Sequence, residues 1–360
     1  MTYVSHNNNF TTHAVEVPPL FDRLLIQTQL GKEFGTHLRS INNSYLFLGP
    51  EGAGKLEWAI AFAAAIMCPE NGCGTCATCV AVLQTQHRDL NLIDNKSGIM
   101  LIDVARDAVK LARLTPNSAR YRVILITEFE NSRDVAPVLL KTIEEPPVST
   151  VFIILARSLT QEFLTIASRC IQTEFFPVRQ GEVRDYLVDL GVTHLDAELG
   201  ASLSGGNLIK AKALTLDGRI SERYDLWRGL VDVKFVSGSQ IMARVARVVV
   251  FLDSVTSHLR TEHQAVLQAT KDGLKGRSGA KGVLKELESE HKRLLRYRRL
   301  KEIELGLGLY LSSFKEFGLG SVTELSAYVQ RCDLVQHSIF QLQSGVSEQL
   351  ALSSLLAKFG

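Results

Sequence analysis

Short apolar segments alternate with longer helical patterns through the first half of the chain. Four of these segments, at residues 45–48, 90–93, 123–126 and 151–155, contain no charged residue. Continuous apolar runs of this length are typical of strands that are buried on both faces. The stretches between them are long enough for crossover helices. The pattern therefore predicts an α/β fold in which helices cover both faces of a parallel sheet.

Helical patterns dominate the rest of the chain. The strand signals stop near Phe175-Phe176-Pro177, and a short segment broken at Gly205-Gly206 precedes a long amphipathic series that begins near Tyr224. These changes of pattern predict domain boundaries near residues 178 and 225. The predicted domains are an α/β domain at 1–178, a small helical domain at 179–225 and an all-α domain at 226–360.

Composition and charge argue against a protein that binds nucleic acid through overall charge, a secreted protein and a membrane-spanning protein. Of the 360 residues 46% are hydrophobic, and 40 Lys+Arg against 38 Asp+Glu give a net charge of +2. Overall charge therefore gives little support for non-specific nucleic-acid binding. The polar stretch at residues 1–13 lacks the apolar core of a signal peptide, and no apolar run approaches the ~20 residues that span a bilayer. We expect a soluble, cytoplasmic protein.

A glycine-rich segment, GPEGAGKL, lies directly between the first predicted strand and a helical pattern. Gly49, Gly52 and Gly54 would let backbone N–H groups turn inward on phosphate oxygens, and Lys55 would reach the β- and γ-phosphates. The following position normally carries Ser or Thr, whose hydroxyl holds Mg²⁺, but here it is Leu56. The segment is predicted to be an intact or decayed phosphate-binding loop, with an ordinary glycine-rich turn as the alternative.

The partner of such a loop is an apolar strand that ends in an acidic pair. The strand at 123–126 is followed by Thr127, where an Asp would support Mg²⁺, and by Glu128, where a Glu would polarise the attacking water. Leu56 and Thr127 are thus losses in two distant segments that serve one ion. We predict a site that no longer hydrolyses Mg²⁺-ATP, with residual nucleotide binding and some turnover as the alternative.

Four cysteines follow the helix that the glycine-rich segment opens. Cys68, Cys73, Cys76 and Cys79 are spaced C-x4-C-x2-C-x2-C, a density that makes little sense as disulfides in a reducing compartment. Four thiolates can close a tetrahedral zinc site and leave no open position for catalysis. We predict structural zinc, with an iron–sulfur cluster or four unrelated buried cysteines as alternatives.

Three further segments resemble a known family. LLKTIEEPP at 139–147 resembles the LLKTLEEPP signature of bacterial clamp-loader subunits, Ser168-Arg169-Cys170 resembles their Ser-Arg-Cys motif, and His87-Arg88-Asp89-Leu90 resembles their His-Pro-Asp-Leu element. With the loop and the cysteines, the matching order covers about half the chain. The helical stretch from Lys281 to Arg299 also resembles some C-terminal domains of the family. The family is the AAA+ clamp loader of DNA polymerase III, and the eroded nucleotide motifs beside an intact Ser-Arg-Cys are most similar to its delta-prime type.

The resemblance implies an AAA+ domain with a zinc-bearing module, a helical lid and an all-α collar. It implies a non-hydrolysing subunit, with weak or absent ATP binding of its own, that supplies Arg169 as an arginine finger to a neighbouring ATPase subunit. Ser168 and Cys170 would frame that arginine, and Lys210 would be a weak substitute for the arginine with which the lid senses nucleotide. The implied partners are the gamma/tau and delta subunits and, through the complex, the sliding clamp and primer-template DNA.

Three questions stay open at this point. The chain is alternatively a catalytic gamma/tau-like ATPase with unusual Mg²⁺ ligation, and Arg169 is alternatively a surface or salt-bridged arginine. The stretch from Lys271 to Lys301 carries 11 Lys/Arg against 4 Asp/Glu. Its alternatives are a solvated helix face with a mobile loop between Gly273 and Gly282, a DNA-facing surface, or a site for another replication protein.

Overall fold

The computed structural model describes residues 17–93, 102–129, 135–230, 237–274, 280–316 and 321–358. Two compact units divide between Ala213 and Leu214. The three-part division at 178 and 225 stays a prediction.

A parallel five-stranded sheet forms the centre of the first unit. Its strands are β1 (Ser44–Leu48), β2 (Leu90–Ile93), β3 (Arg122–Ile126), β4 (Thr150–Ala156) and β5 (Ile171–Glu174), in the spatial order β2-β3-β4-β1-β5. Every neighbouring pair is parallel. The predicted α/β class and its four apolar strands are confirmed.

The fifth strand is not among the four apolar segments that predict strands. β5 lies at the edge of the sheet beside β1, and of its four residues only Thr173 is buried. A half-exposed edge strand needs no continuous apolar run. Its composition therefore gave no signal.

Helices cover both faces of the sheet. Alternate residues of β1 point to opposite sides, so Tyr45 and Phe47 enter one buried cluster while Leu46 and Leu48 enter the other. The helices and turns of this unit are α1 (Pro19–Asp22), α2 (Leu30–Arg39), α3 (Lys55–Met67), α4 (Ala77–Leu83), α5 (Ile102–Ala112), α6 (Ala136–Glu144), a 3-10 turn (Gln161–Phe163), α7 (Leu164–Ala167), α8 (Gln180–Asp189), α9 (His194–Ser204) and α10 (Leu208–Thr215).

Asp89 ties the start of the edge strand β2 to the segment before β3. The carboxylate is fully buried and accepts hydrogen bonds from the backbone N–H groups of Asn117, Ser118 and Ala119 at 2.7–3.1 Å. Arg122 forms an ion pair with it at 3.2 Å. The acidic residue of the His87-Arg88-Asp89-Leu90 element is thus a structural anchor.

The second unit is helical throughout the part that the structure describes. It contains α11 (Ile220–Arg228), α12 (Gly238–Val255), α13 (Ser257–Gly273), α14 (Ala280–Glu316), α15 (Val322–Gln343) and α16 (Glu348–Ala357). Val245, Val248 and Leu252 of α12 are buried. Gly306 lies against the ring of Trp227, where a Cβ would overlap the indole. Close contact between helices therefore builds this core.

The basic stretch at 271–301 covers the end of α13 and the first part of α14. Much of the loop expected between Gly273 and Gly282, namely residues 275–279, lies outside the described residues. None of the helices in the described ranges is long and apolar enough to cross a membrane.

Candidate functional site

The glycine-rich loop connects β1 to α3 and is shaped by glycine at three positions. Gly49, Gly52 and Gly54 have φ angles of 150°, 74° and 87°, a region that side chains other than glycine rarely enter. Space is also short, because a Cβ at Gly52 would overlap the side-chain amide of Asn207. At Gly49 a Cβ would overlap the carbonyl of Phe175. The predicted order of strand, glycine-rich turn and helix is present, and phosphate binding by this loop stays a prediction.

Lys55, the first residue of α3, folds back over this loop. Its Nζ donates hydrogen bonds to the carbonyl oxygens of Gly49 and, at 2.7 Å, Pro50. The ammonium group therefore contacts the backbone of the loop itself.

A cavity of about 320 Å³ opens beside the loop. The predicted residues that line it are Gly52, Gly54, Lys55, Leu56, Thr127 and Glu128. The structure thus brings together two segments that are far apart in sequence. Leu56 and Thr127, the two positions where Mg²⁺ ligands were expected, face the same space. Leu56 offers no ligand atom where a hydroxyl was expected, and Thr127 offers a neutral hydroxyl where an anionic carboxylate was expected, so the pair is a poorer Mg²⁺ ligand set than Ser or Thr with Asp.

Two basic residues and three carboxylates also line the cavity. Arg157 lies 3.3 Å from Glu51 and 3.2 Å from Glu128. Lys212 of α10 lies 3.0 Å from Glu57. Arg157 and Lys212 are therefore both paired with carboxylates of the same chain.

The pKa of Lys212 reflects both its burial and its partner. Burial opposes the charged form, but Glu57 and the hydroxyl of Tyr186 at 3.2 Å more than compensate, so the pKa of Lys212 is raised. The ammonium group remains protonated at neutral pH. Lys210, which the family resemblance implies as a weak nucleotide sensor, does not line the cavity, and its backbone N–H donates to Asn207 Oδ1 at 2.9 Å. The only sequence signal for Lys212 as a cavity residue is that it lies on the same helix as Lys210.

Arg169 follows α7 on a partly exposed surface. Its Nε lies 2.8 Å from Glu144 Oε1, and both side chains are about two-fifths exposed. Its Nη1 donates to the carbonyl of Thr165 at 2.7 Å and to Ser168 Oγ at 3.1 Å. Burial raises the pKa of the Cys170 thiol to about 12, so this cysteine stays a neutral thiol. Ser168 therefore contacts the arginine directly, whereas Cys170 packs inward.

The four cysteines form a compact sulfur cluster. Their Sγ atoms all lie within 4.8 Å of one another, with separations of 3.7 Å (Cys68 to Cys73), 3.8 Å (Cys68 to Cys76) and 4.0 Å (Cys73 to Cys79). A tetrahedral ion with Zn–S bonds of ~2.3 Å places its sulfurs ~3.8 Å apart. The donor set therefore fits zinc.

Backbone geometry supports the cluster as a ligand set. The N–H groups of Thr75 and Cys76 lower the pKa of Cys73 to about 6, which favours the thiolate that binds metal, whereas burial raises the pKa of the Cys79 thiol. The N–H of Cys79 likewise lies 3.4 Å from the sulfur of Cys76. All four predicted ligands lie together, at the end of α3 and the start of α4.

Comparison with known proteins finds similarity to subunits of DNA polymerase III. A family model described as "DNA polymerase III, delta subunit" matches residues 26–179. The chain is 30% identical over 275 residues to the DNA polymerase III subunit tau of Bacillus subtilis, covering 72% of this chain and 48% of that protein. It is 26% identical over 187 residues to the delta-prime subunit from the same organism, covering 51% of this chain and 56% of that protein.

A solved structure of a gamma subunit-related protein of DNA polymerase III from Thermotoga maritima matches 91% of this chain and 98% of its own, at 14% identity and a TM-score of 0.43. The chain spans about half or less of the length of the first curated relatives that it matches.

Proposed function

Because the chain belongs to the clamp-loader family of AAA+ proteins, we propose that it is a delta-prime-like subunit that does not hydrolyse ATP itself. In this proposal it supplies Arg169 to ATP bound by an adjacent subunit. Its role would be to help load the sliding clamp on primed DNA during replication.

The state of the nucleotide cavity carries this proposal. Leu56 and Thr127 line one cavity at the two positions that would hold Mg²⁺. Without the ion, the charge that develops on the transferred phosphoryl group lacks its main stabiliser. The phosphates of any nucleotide that entered would also compete with carboxylates of the chain for its cations. These carboxylates are Glu51 and Glu128, which pair with Arg157, and Glu57, which pairs with Lys212. We therefore expect weak or absent ATP binding.

The surroundings of Arg169 support its role outside its own chain. A guanidinium group delivered to a neighbour's γ-phosphate stabilises the transition state and raises the rate by ~10³–10⁵. Arg169 is 40% exposed, and the nearby Leu164 is 51% exposed. A basic group beside an exposed apolar side chain suits a surface that another subunit covers.

The helical unit also supports assembly with other subunits. Large apolar side chains are exposed along one helix, α15, where Val322, Leu325, Val329 and Phe340 are between 49% and 85% exposed. Exposed apolar groups of this size are typical of contact surfaces. In the proposal they face the gamma/tau and delta subunits, and contacts with the clamp and primer-template DNA are made through the complex.

The cysteine cluster would hold a structural zinc ion. Cys68, Cys73, Cys76 and Cys79 would all be ligands, and the closed set would order a loop that has few apolar residues of its own. The zinc site would therefore stabilise the α/β unit and take no part in hydrolysis.

A catalytic gamma/tau-like ATPase is the second candidate. It is favoured by one observation, the match to a tau subunit over 72% of this chain against 51% for a delta-prime subunit. In that case another group would complete the Mg²⁺ site beside Glu128.

ATP turnover by the purified chain separates the two candidates. We expect no turnover above background for the chain alone, and stimulated turnover only when partner subunits, clamp and primed DNA are added. Leu56→Thr alone should not restore hydrolysis, because Thr127 still leaves the ion without its anionic ligand. Substantial turnover by the unmodified chain alone would reject the proposal in favour of the second candidate.

A further inference from the structure

The ion pair between Glu144 and Arg169 joins two segments, 139–147 and 168–170, that separately resemble clamp-loader motifs. Glu144 is the last residue of α6, and Arg169 follows α7. Glu144 Oε1 lies 2.8 Å from Arg169 Nε, within ion-pair distance. The carboxylate therefore lies against one edge of the guanidinium group.

Two further oxygen atoms hold the same group. The carbonyl of Thr165 and the hydroxyl of Ser168 both accept from Nη1, at 2.7 and 3.1 Å. Among the described residues, Nη2 has no hydrogen-bond partner. The side chain is thus held at Nε and Nη1 while one terminal nitrogen remains available to an acceptor on another molecule.

Stability does not explain this arrangement. Glu144 and Arg169 are 39% and 40% exposed, and exposed ion pairs contribute little to folding. Orientation does explain it, since an arginine side chain is flexible and a reacting group gains rate when its geometry is fixed in advance. Because the Glu144 carboxylate lies against Nε of Arg169, it limits the orientations in which Nη2 of the guanidinium group can contact a phosphate oxygen.

We propose that Glu144 is a positioning residue that sets the orientation of Arg169 toward the γ-phosphate bound by the adjacent subunit. This inference rests on the proposed function, because it requires Arg169 to act on a neighbour's nucleotide. Glu145 provides the contrast. It is the next residue of the same segment, it is exposed, and no ion pair with a described residue holds its side chain.

The test uses the complete loader, assembled from the full-length chain and its partner subunits. Clamp- and DNA-stimulated ATP hydrolysis is measured for the wild type, Glu144→Gln, Glu145→Gln, Arg169→Ala and the double variant Glu144→Gln with Arg169→Ala. We expect Glu144→Gln to lower kcat about three- to tenfold with KM for ATP unchanged within about twofold. Glu145→Gln should behave like the wild type. The double variant should match Arg169→Ala, because Glu144 acts only through Arg169.

Each other outcome overturns the inference in a distinguishable way. An Arg169→Ala loader that is impaired while Glu144→Gln is normal would reject the positioning role and leave the proposed function intact. A Glu144→Gln effect of equal size with and without Arg169 would show that Glu144 acts by another route. An Arg169→Ala loader with full activity would reject the proposed function itself. Thermal unfolding of the isolated chain and assembly by size-exclusion chromatography serve as controls, and a Glu144→Gln chain that unfolds or fails to assemble would contradict the inference by assigning Glu144 a structural role.

Discussion

Asp89 shows at the scale of one residue how a charge is kept inside this fold. Burial alone would raise the pKa of its carboxyl group, but hydrogen bonds from the N–H groups of Asn117, Ser118 and Ala119 lower the pKa to about 2. The folded structure therefore stabilises the ionised form of the Asp89 carboxyl group. The sequence resemblance located Asp89, but its donors, which follow it by 28 to 30 positions, could not be read from the motif.

Asp89→Ala should destabilise the chain by about 3–5 kcal/mol, because it leaves Arg122 buried without its partner. Chemical denaturation measures the effect. Asp103→Ala is the matched control, since the Asp103 side chain is 87% exposed and its loss should cost no more than about 0.5 kcal/mol. Equal stability of the two variants would contradict the role of Asp89 as an anchor.

The same carboxylate also gives stability a definite pH dependence. Its folded pKa of about 2 lies below the ordinary value of 3.8, so the unfolded chain binds the proton more readily. The stabilising contribution is therefore complete above about pH 4 and is lost as the pH falls from there toward 2. Asp89→Ala should remove this part of the acid dependence.

At the scale of elements, the central strands and the edge strand β2 were predictable, and the other edge strand, β5, was not. β1, β3 and β4 are buried on both faces, so their composition alone identifies them. β5 is half exposed and carries no such signal. The candidate site divides in the same way: the residues of the glycine-rich loop are local in sequence, whereas Glu57 and Lys212 are 155 positions apart and meet only in the folded chain.

The cysteine cluster gives the element-scale prediction. We expect about one equivalent of zinc per chain purified without chelator, and Cys76→Ser should lose it because three thiolates no longer close the tetrahedron. Metal analysis measures the content, and hydrogen exchange over 68–83 should report loss of local order on zinc removal. Cys332→Ser, outside the cluster, should retain the metal. Visible absorbance typical of iron–sulfur centres would contradict the zinc assignment.

At the scale of the whole molecule, the proposed function separates two properties that an active AAA+ subunit combines. One is hydrolysis of ATP at its own site, and the other is the arginine that it supplies to a neighbour's site. The chain has a glycine-rich loop, the helix that follows it and an adjacent cavity lined by Leu56 and Thr127, and in the proposal these two residues are what stops hydrolysis there. Arg169 lies on another surface and depends on none of these residues for its hydrogen bonds. A subunit of this kind can lose hydrolysis and still contribute to hydrolysis by a neighbour.

The most direct measurement is the clamp- and DNA-stimulated ATPase activity of a loader that contains Arg169→Ala. Assembly should persist, because the substitution removes one side chain from one interface, while stimulated hydrolysis should fall by ~10-fold or more as charge stabilisation at that interface is lost. Arg169→Lys should restore little activity, because an ammonium group cannot reproduce the planar contacts of guanidinium. Undiminished stimulated hydrolysis and clamp loading by the assembled Arg169→Ala loader would contradict the account.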